Sequence, residues 1–215
     1  MRLKRQRMAI IMKKFILYIF LVLLTVSCIS CGKTEQEEIS YTITSVMPED
    51  IIHIVDSGNA EYTAICTYQH YCTYCREDFP RMFFFCDTTP VNFYVLFTAR
   101  ESDSSYIYES MQAIKECDAA FDKFLILSDS LYEPDNRTRK KFFIFKEYGG
   151  PRESQKHIKY VENYLPERFE DGCYTPRLFL YKKGEGIVFA THYDEQQETC
   201  LPQQDIEQLI DIIYQ

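Results

Sequence analysis

Three apolar, strand-like runs alternate with two segments of helical periodicity between residues 62 and 127. The runs are Tyr62–Tyr68, Val91–Phe97 and Phe124–Leu127, and they are rich in the β-branched and aromatic residues that favour strands. Between them, apolar residues recur at helical spacing from Arg76 to Cys86 and from Ser104 to Cys117. Helices that alternate with continuously apolar strands predict an α/β domain whose sheet is covered on both faces.

Further elements are predicted on both sides of this alternation. Pro48 and Gly58 are typical of the start and the end of a short helix. A hairpin is expected from residues 177–181 and 187–191, which are joined through a turn with two glycines, and a terminal helix from residues 206–213. Residues 131–171 are interpreted as a helical insertion before the hairpin.

Cys72 and Cys75 form a Cys-X-X-Cys pair where the first of these helices begins. Unpaired N–H groups and the helix dipole favour a thiolate at a helix N-terminus, so Cys72, nearer the end, is predicted to be the nucleophile. Cys75, one turn inward, would be the resolving thiol that attacks the mixed disulfide. Half of a zinc site, with His70 as the nearest further ligand, and a structural disulfide share this spacing. We favour the redox couple.

The first residues have the organisation of a secretion signal. Six basic residues and no acidic one precede or border the apolar run from Phe15 to Val26, which is shorter than the roughly 20 residues of a membrane span. Ser27-Cys28 at its end is typical of a lipoprotein signal. We therefore expect a signal peptide over residues 1–27, lipidation of Cys28 with Cys31 as an alternative site, a tether over residues 28–44, and a folded body over residues 45–215. An ordinary cleaved signal or an uncleaved anchor would give a similar pattern.

Loss of this leader makes the chain strongly acidic. Its six basic residues leave with no acidic one, so the formal net charge changes from −8 to −14. Such a body repels phosphate backbones, and we expect no nucleic-acid partner.

Seven cysteines lie outside the Cys72–Cys75 pair. Apart from the two near the leader, Cys66, Cys86 and Cys117 are expected to be buried free thiols, because each lies in an apolar strand or near a helical face. Cys173 would either approach the pair as a third thiol, or pair elsewhere or be buried. The pairing of Cys200 cannot be deduced from spacing.

Residues 65–80 are similar to the active-site segment of thioredoxin-like proteins of the TlpA/ResA type. In that family an aromatic residue precedes the first cysteine, arginine follows the second, and an acid and a proline lie three and five residues beyond it. The matching residues here are Tyr71, Arg76, Asp78 and Pro80. The resemblance implies a thioredoxin fold, with a central mixed sheet flanked by helices.

Thr175-Pro176 resembles the threonine and cis-proline of the same family. The resemblance implies that the backbone of Thr175 is turned toward Cys72, ready to pair with an extended substrate chain. Tyr71, Thr175 and Pro176 are therefore expected to bind substrate. Cys66 stands where the family often carries a buried acid or amide, so proton transfer from Cys75 would need another base or water.

These inferences predict an exported, lipid-anchored thiol-disulfide oxidoreductase of the cell envelope, facing the periplasm, with protein thiols and disulfides as partners. Family analogy adds a membrane electron donor of the DsbD type and slightly favours the reductive direction. No organic cofactor is expected, because the cysteines store the electrons. The alternatives are a binding protein that holds copper through Cys72, Cys75 and His70 or docks a partner without turnover, and an envelope scaffold.

Overall fold

The computed structural model describes residues 42–131, 156–157, 160–161 and 175–215, which belong to one compact unit that begins at Thr42. Its elements in chain order are β1 Ile43–Val46, α1 Pro48–Ser57, β2 Tyr62–Tyr68, α2 Thr73–Asp87, β3 Asn92–Phe97, α3 Ser104–Lys115, β4 Phe124–Leu127, a 3₁₀ turn Asp129–Leu131, β5 Arg177–Lys182, β6 Gly186–Ala190 and α4 Gln203–Tyr214.

The six strands form one mixed sheet in the order β1-β4-β3-β2-β5-β6. Strands β1 to β4 are mutually parallel where they pair, whereas β5 runs antiparallel to both β2 and β6. Nearly every residue of β2, β4 and β5 is buried, as expected of strands covered on both faces. The predicted α/β class is confirmed, and the architecture is compatible with a thioredoxin-like fold.

Helix α2 is held against the sheet by aromatic residues. Phe79 and Phe83 on its buried face contact Phe93 of β3, with ring centroids 6.2 and 5.8 Å apart, and Phe83 also contacts Phe121 at 5.4 Å. Such tilted and edge-to-face pairs each add to the free energy gained by burying the rings. The cluster fixes the helix whose first turn carries the two cysteines.

Most of the predicted elements are present with boundaries within three residues. Pro48 lies in the first turn of α1 and Gly58 is its C-cap. The hairpin turn contains Gly184 and Gly186 with φ of 76° and 82°, a backbone region that residues with a Cβ rarely adopt. Helix α2 begins at Thr73, three residues earlier than its apolar spacing indicated, with Cys72 as N-cap.

Two features differ from the sequence interpretation. The sequence does not predict strand β1, and the tether expected over residues 28–44 includes its first two residues, Ile43 and Thr44. Four residues with only Val46 buried give little apolar signal. The expected burial of Cys117 is wrong. Helix α3 ends at Lys115, so Cys117 lies in the following turn, and its thiol is exposed instead of joining Ile114 on the buried face of the helix.

Several predictions lie outside the described residues. They are the signal peptide, the lipidation of Cys28 or Cys31, most of the tether, the position of Cys173 and most of the insertion over residues 131–171. Within that insertion, Lys156, His157, Tyr160 and Val161 are described, and all four are helical and buried. No helix in the described part of the chain has the length and apolar character needed to cross a bilayer.

Candidate functional site

The sheet topology brings the Cys-X-X-Cys segment and the Thr175-Pro176 segment to the same edge. Because β5 is antiparallel to β2, the start of β5 lies beside the end of β2, with Arg177 opposite Thr67. The Arg177 N–H donates to the Thr67 hydroxyl at 3.0 Å and fixes this register. Thr175 and Pro176, just before β5, therefore reach the residues that follow β2.

Cys72 occupies the N-cap of α2 and is half-buried. Its sulfur accepts a hydrogen bond from the Cys75 N–H at 3.2 Å, which satisfies one of the open donors of the first helical turn. In its protonated form the thiol donates to the Thr175 carbonyl at 3.0 Å. The Thr175–Pro176 peptide bond is cis, and Tyr71 beside Cys72 is 47% exposed. Of the predicted site residues, Cys75 and Thr175 thus both contact the Cys72 sulfur.

Cys75 has the opposite environment. It is fully buried, its sulfur accepts the Gln69 N–H at 3.4 Å, and burial raises its pKa well above 9.0. All six cysteines in the described residues, Cys66, Cys72, Cys75, Cys86, Cys117 and Cys200, are unbonded thiols. The structure therefore presents the pair in its dithiol form.

The surroundings of Cys72 favour its thiolate. The pKa of Cys72 is lowered from 9.0 to about 6, and the largest cause is a hydrogen bond from the Cys75 thiol. Backbone hydrogen bonds from Cys75 and Tyr74 and the side chain of Thr175 act in the same direction and together outweigh the desolvation that raises the pKa. One sulfur of the pair is thus prepared to attack while the other keeps its proton.

Cys66 fills a position in the core without contributing an acid. It is fully buried, and its thiol lies 3.6 Å from both the Thr67 carbonyl and the Met82 sulfur. Burial is the main cause of its raised pKa. The nearest buried carboxylate on α2 is Asp78, one turn beyond Cys75, and it is used differently.

Asp78 binds the loop between β6 and α4, which the sequence interpretation did not connect to the site. One carboxylate oxygen accepts the Thr199 hydroxyl at 2.9 Å, and the other accepts the Cys200 N–H at 2.7 Å. Arg81, one turn further along α2, donates to the Thr199 hydroxyl at 3.3 Å. We call residues 191–202 the closing loop, because these bonds hold it against the dithiol helix.

A second contact joins the closing loop to the Cys-X-X-Cys segment itself. The Tyr193 hydroxyl donates to the Tyr74 hydroxyl at 3.0 Å, and the two rings meet edge to face at 5.3 Å. Beside it, Asp205 at the start of α4 accepts the His192 N–H at 2.9 Å and lies 2.8 Å from the His192 Nδ1. No local sequence pattern marks Tyr193, since its partner lies 119 residues away.

His70, the additional metal ligand considered from sequence, faces α3. Its ring stacks on Tyr106 at 4.8 Å, its Nδ1 lies 3.3 Å from the Ser110 hydroxyl, and its Nε2 lies 3.6 Å from the Glu109 carboxylate. Over residues 42–131, the four helical residues of the insertion and 175–215, no group of three or more His, Cys, Asp or Glu side chains is arranged to hold a metal ion.

Comparison with protein-family models, with curated proteins and with solved structures finds no match to this chain. Its function has to be argued from the site.

Proposed function

We propose that this chain is a thiol-disulfide oxidoreductase with a thioredoxin-like fold, related to the TlpA/ResA type, that exchanges disulfides with protein substrates. The observation that carries the proposal is the contrast within one pair of thiols. Cys72 is half-buried, so part of it reaches solvent, and its pKa is lowered to about 6, whereas Cys75 is fully buried and has a raised pKa. This difference in exposure and pKa is the one expected between a nucleophilic thiol and a resolving thiol.

In the first step the Cys72 thiolate attacks one sulfur of a substrate disulfide. The new bond is a mixed disulfide between Cys72 and the substrate, and the second substrate sulfur leaves as a thiolate that takes a proton from solvent. Loss of the Cys72 proton also frees the Thr175 carbonyl, which had accepted the thiol at 3.0 Å. That carbonyl can then accept an N–H from an extended substrate chain.

In the second step Cys75 gives up its proton and attacks the Cys72 sulfur. The mixed disulfide breaks, the remaining substrate sulfur leaves as a thiolate and takes up a proton, and Cys72 and Cys75 become a disulfide. Two electrons have passed to the substrate, and a donor dithiol restores the pair. Because Cys66 supplies no carboxylate, water at the site edge is the acceptor that we assign to the Cys75 proton.

The cellular setting is proposed from the leader alone. A lipid on Cys28 would attach the protein to a membrane of the cell envelope, with the folded body facing the periplasm. There it would meet protein disulfides and a membrane electron donor. The acidic body argues against a nucleic-acid partner.

Reduction of insulin by dithiothreitol tests the proposal, with turbidity as the signal. The wild type should accelerate the reaction, Cys72→Ser should reduce the rate to that of dithiothreitol alone, and Cys117→Ser, a matched change at an exposed free thiol, should retain the full acceleration. A wild type no faster than Cys72→Ser would contradict the proposal. Stoichiometric copper in that same protein would favour the copper-binding alternative.

Trapping identifies the substrates. In Cys75→Ser the second step is blocked, so mixed disulfides through Cys72 should accumulate in cells and separate on reducing gels. The double variant Cys72→Ser/Cys75→Ser should show none of them.

A further inference from the structure

A short turn joins the end of β2 to both cysteines of the pair. The Cys72 N–H donates to the Gln69 carbonyl at 3.2 Å, which closes a turn over Gln69, His70, Tyr71 and Cys72. At the start of this turn the Gln69 N–H donates to the Cys75 sulfur at 3.4 Å. One buried residue, Gln69, therefore binds the backbone of the nucleophile and the sulfur of the resolving cysteine.

His70, the second residue of the turn, is anchored on α3. The Ser110 hydroxyl donates to the Tyr106 carbonyl at 2.9 Å, and a serine hydroxyl has a single proton to give. The His70 Nδ1, 3.3 Å from the same hydroxyl oxygen, is therefore the donor of that contact. The imidazole also stacks on the Tyr106 ring at 4.8 Å. Both contacts tie the turn to a packed helix.

The peptide that carries the Gln69 N–H is held from two sides. Its carbonyl belongs to Tyr68, the last residue of β2, and accepts the Thr98 N–H at 3.3 Å. On its other side begins the turn that His70 anchors. The bond to Thr98 before it and the anchor after it together direct the N–H at the Cys75 sulfur.

The Gln69 N–H matters most in the second step of the exchange, when Cys75 becomes a thiolate. Burial, followed by the Cys72 sulfur, raises the pKa of Cys75, and the Gln69 N–H lowers it. In the mixed disulfide the Cys72 sulfur carries no charge, so its effect is lost while the Gln69 bond remains. Since a hydrogen bond to an ionised acceptor is roughly twice as strong as one to a neutral group, the bond stabilises the developing thiolate more than the thiol.

We propose that His70, through its hydrogen bond to Ser110, is a positioning residue for the resolving step. It holds the turn so that the Gln69 N–H stays on the Cys75 sulfur while that sulfur loses its proton and attacks Cys72. The role needs no charge on the ring, because the neutral tautomer with a proton on Nδ1 makes the same bond. This inference rests on the proposed function and assigns control of its second step.

Single turnover with dithiodipyridine, an uncharged aromatic disulfide, separates the two steps. Reduced protein is in excess, and each step releases one thiopyridone, which absorbs light. Attack by the Cys72 thiolate forms the mixed disulfide and releases the first. Cys75 passes its proton to water and attacks the Cys72 sulfur, which releases the second and leaves a Cys72–Cys75 disulfide. Cys72→Ser measures the background from the other thiols, and all proteins are compared at one concentration.

Variants at both ends of the His70–Ser110 bond locate the effect. His70→Phe keeps a ring on Tyr106 but has no donor, and Ser110→Ala has no acceptor. Each should slow the second release about three- to tenfold, as the weakening of one hydrogen bond allows, and the double variant should be no slower than either. The first release should stay within about twofold of the wild type, because the bonds to the Cys72 sulfur come from other residues; it also reports that each variant is folded.

Two further variants distinguish positioning from a general loss of structure. His70→Asn places an amide nitrogen where Nδ1 stands, so it should keep the second release within about twofold of the wild type. His53→Phe, the matched change at an exposed histidine of α1, should alter neither release.

The outcomes separate this inference from the function beneath it. A second release that is unchanged in His70→Phe or Ser110→Ala, an equal slowing of both releases, or His70→Asn as slow as His70→Phe would overturn the positioning role and leave the oxidoreductase in place. A wild type that releases only one thiopyridone per molecule of reagent, and so forms no Cys72–Cys75 disulfide, would overturn the oxidoreductase itself.

Discussion

The sulfur of Cys72 lies 3.0 Å from the backbone oxygen of Thr175, although the two residues are 103 positions apart in the chain. The antiparallel pairing of β5 with β2 produces this contact, because it sets the start of one strand beside the end of the other. The contact places a chain segment able to pair with an extended substrate at the candidate nucleophile.

The reactivity of Cys72 should depend on pH as its thiolate does. With a pKa lowered to about 6, Cys72 is protonated below that pH, and its alkylation by iodoacetamide should rise through pH 6 and level off above about pH 7. Cys117 is the internal control: partial desolvation and, to a smaller extent, the Glu116 carboxylate raise its pKa from 9.0, so its alkylation should still be rising above pH 9. Mass spectrometry of quenched, digested protein reads both thiols. A midpoint near pH 9 for Cys72 would show that its surroundings do not stabilise the thiolate.

Loss of the Asp78 carboxylate should destabilise the protein. Asp78→Ala leaves the Thr199 hydroxyl and the Cys200 N–H without their acceptor, at about 1–3 kcal/mol for each buried donor. We expect the free energy of unfolding in urea to fall by about 2 kcal/mol or more. The neighbouring change Glu77→Ala, at an exposed position, should stay within about 0.5 kcal/mol. Equal effects of the two changes would mean that Asp78 does not hold the closing loop.

The buried hydroxyls of Tyr160 and Tyr181 should be energetically coupled. They hydrogen-bond to each other between the helical insertion and β5, so changing either residue to Phe leaves one hydroxyl unpaired and should cost about 1–3 kcal/mol. The double variant removes both groups and should cost less than the sum of the single changes. Denaturation of the four proteins measures this coupling, and Tyr214→Phe serves as an exposed control. Strictly additive single effects would contradict the contact.

The contacts of Lys156, which join the insertion to the end of the sheet, should stabilise the protein. Its buried ammonium donates to the carbonyls of Ala99, at 2.7 Å, and Leu127, and pairs with Asp129 at 2.6 Å. Lys156→Met leaves both buried carbonyls without this donor, so we expect a loss of about 2 kcal/mol or more. Lys123→Met, which removes an exposed 2.7 Å bond to Asn92, should cost at most about 0.5 kcal/mol. Equal midpoints in urea for the two variants would refute the link.

The parts of the fold that were predicted correctly are those with strong local signals. The apolar strands, the helix over Pro48–Ser57, the glycine turn of the hairpin and the terminal helix all depend on residues within a few positions of each other. Strand β1 was missed, since four residues with one buried side chain carry almost no periodicity. The prediction that Cys117 is buried is wrong because it continues the helical spacing of apolar residues past Lys115, the residue at which α3 ends.

In the candidate site, too, the features with local signals are predicted from sequence and the long-range contacts are not. Sequence by itself determined that Cys72 and Cys75 lie at a helix start and that Thr175-Pro176 precedes a strand, because spacing and capping act locally along the chain. Only the tertiary structure decided which groups surround those sulfurs. The bonds of Tyr74 with Tyr193 and of Asp78 with Cys200 join residues 119 and 122 positions apart, and strand order and register, rather than any local pattern, bring such residues together.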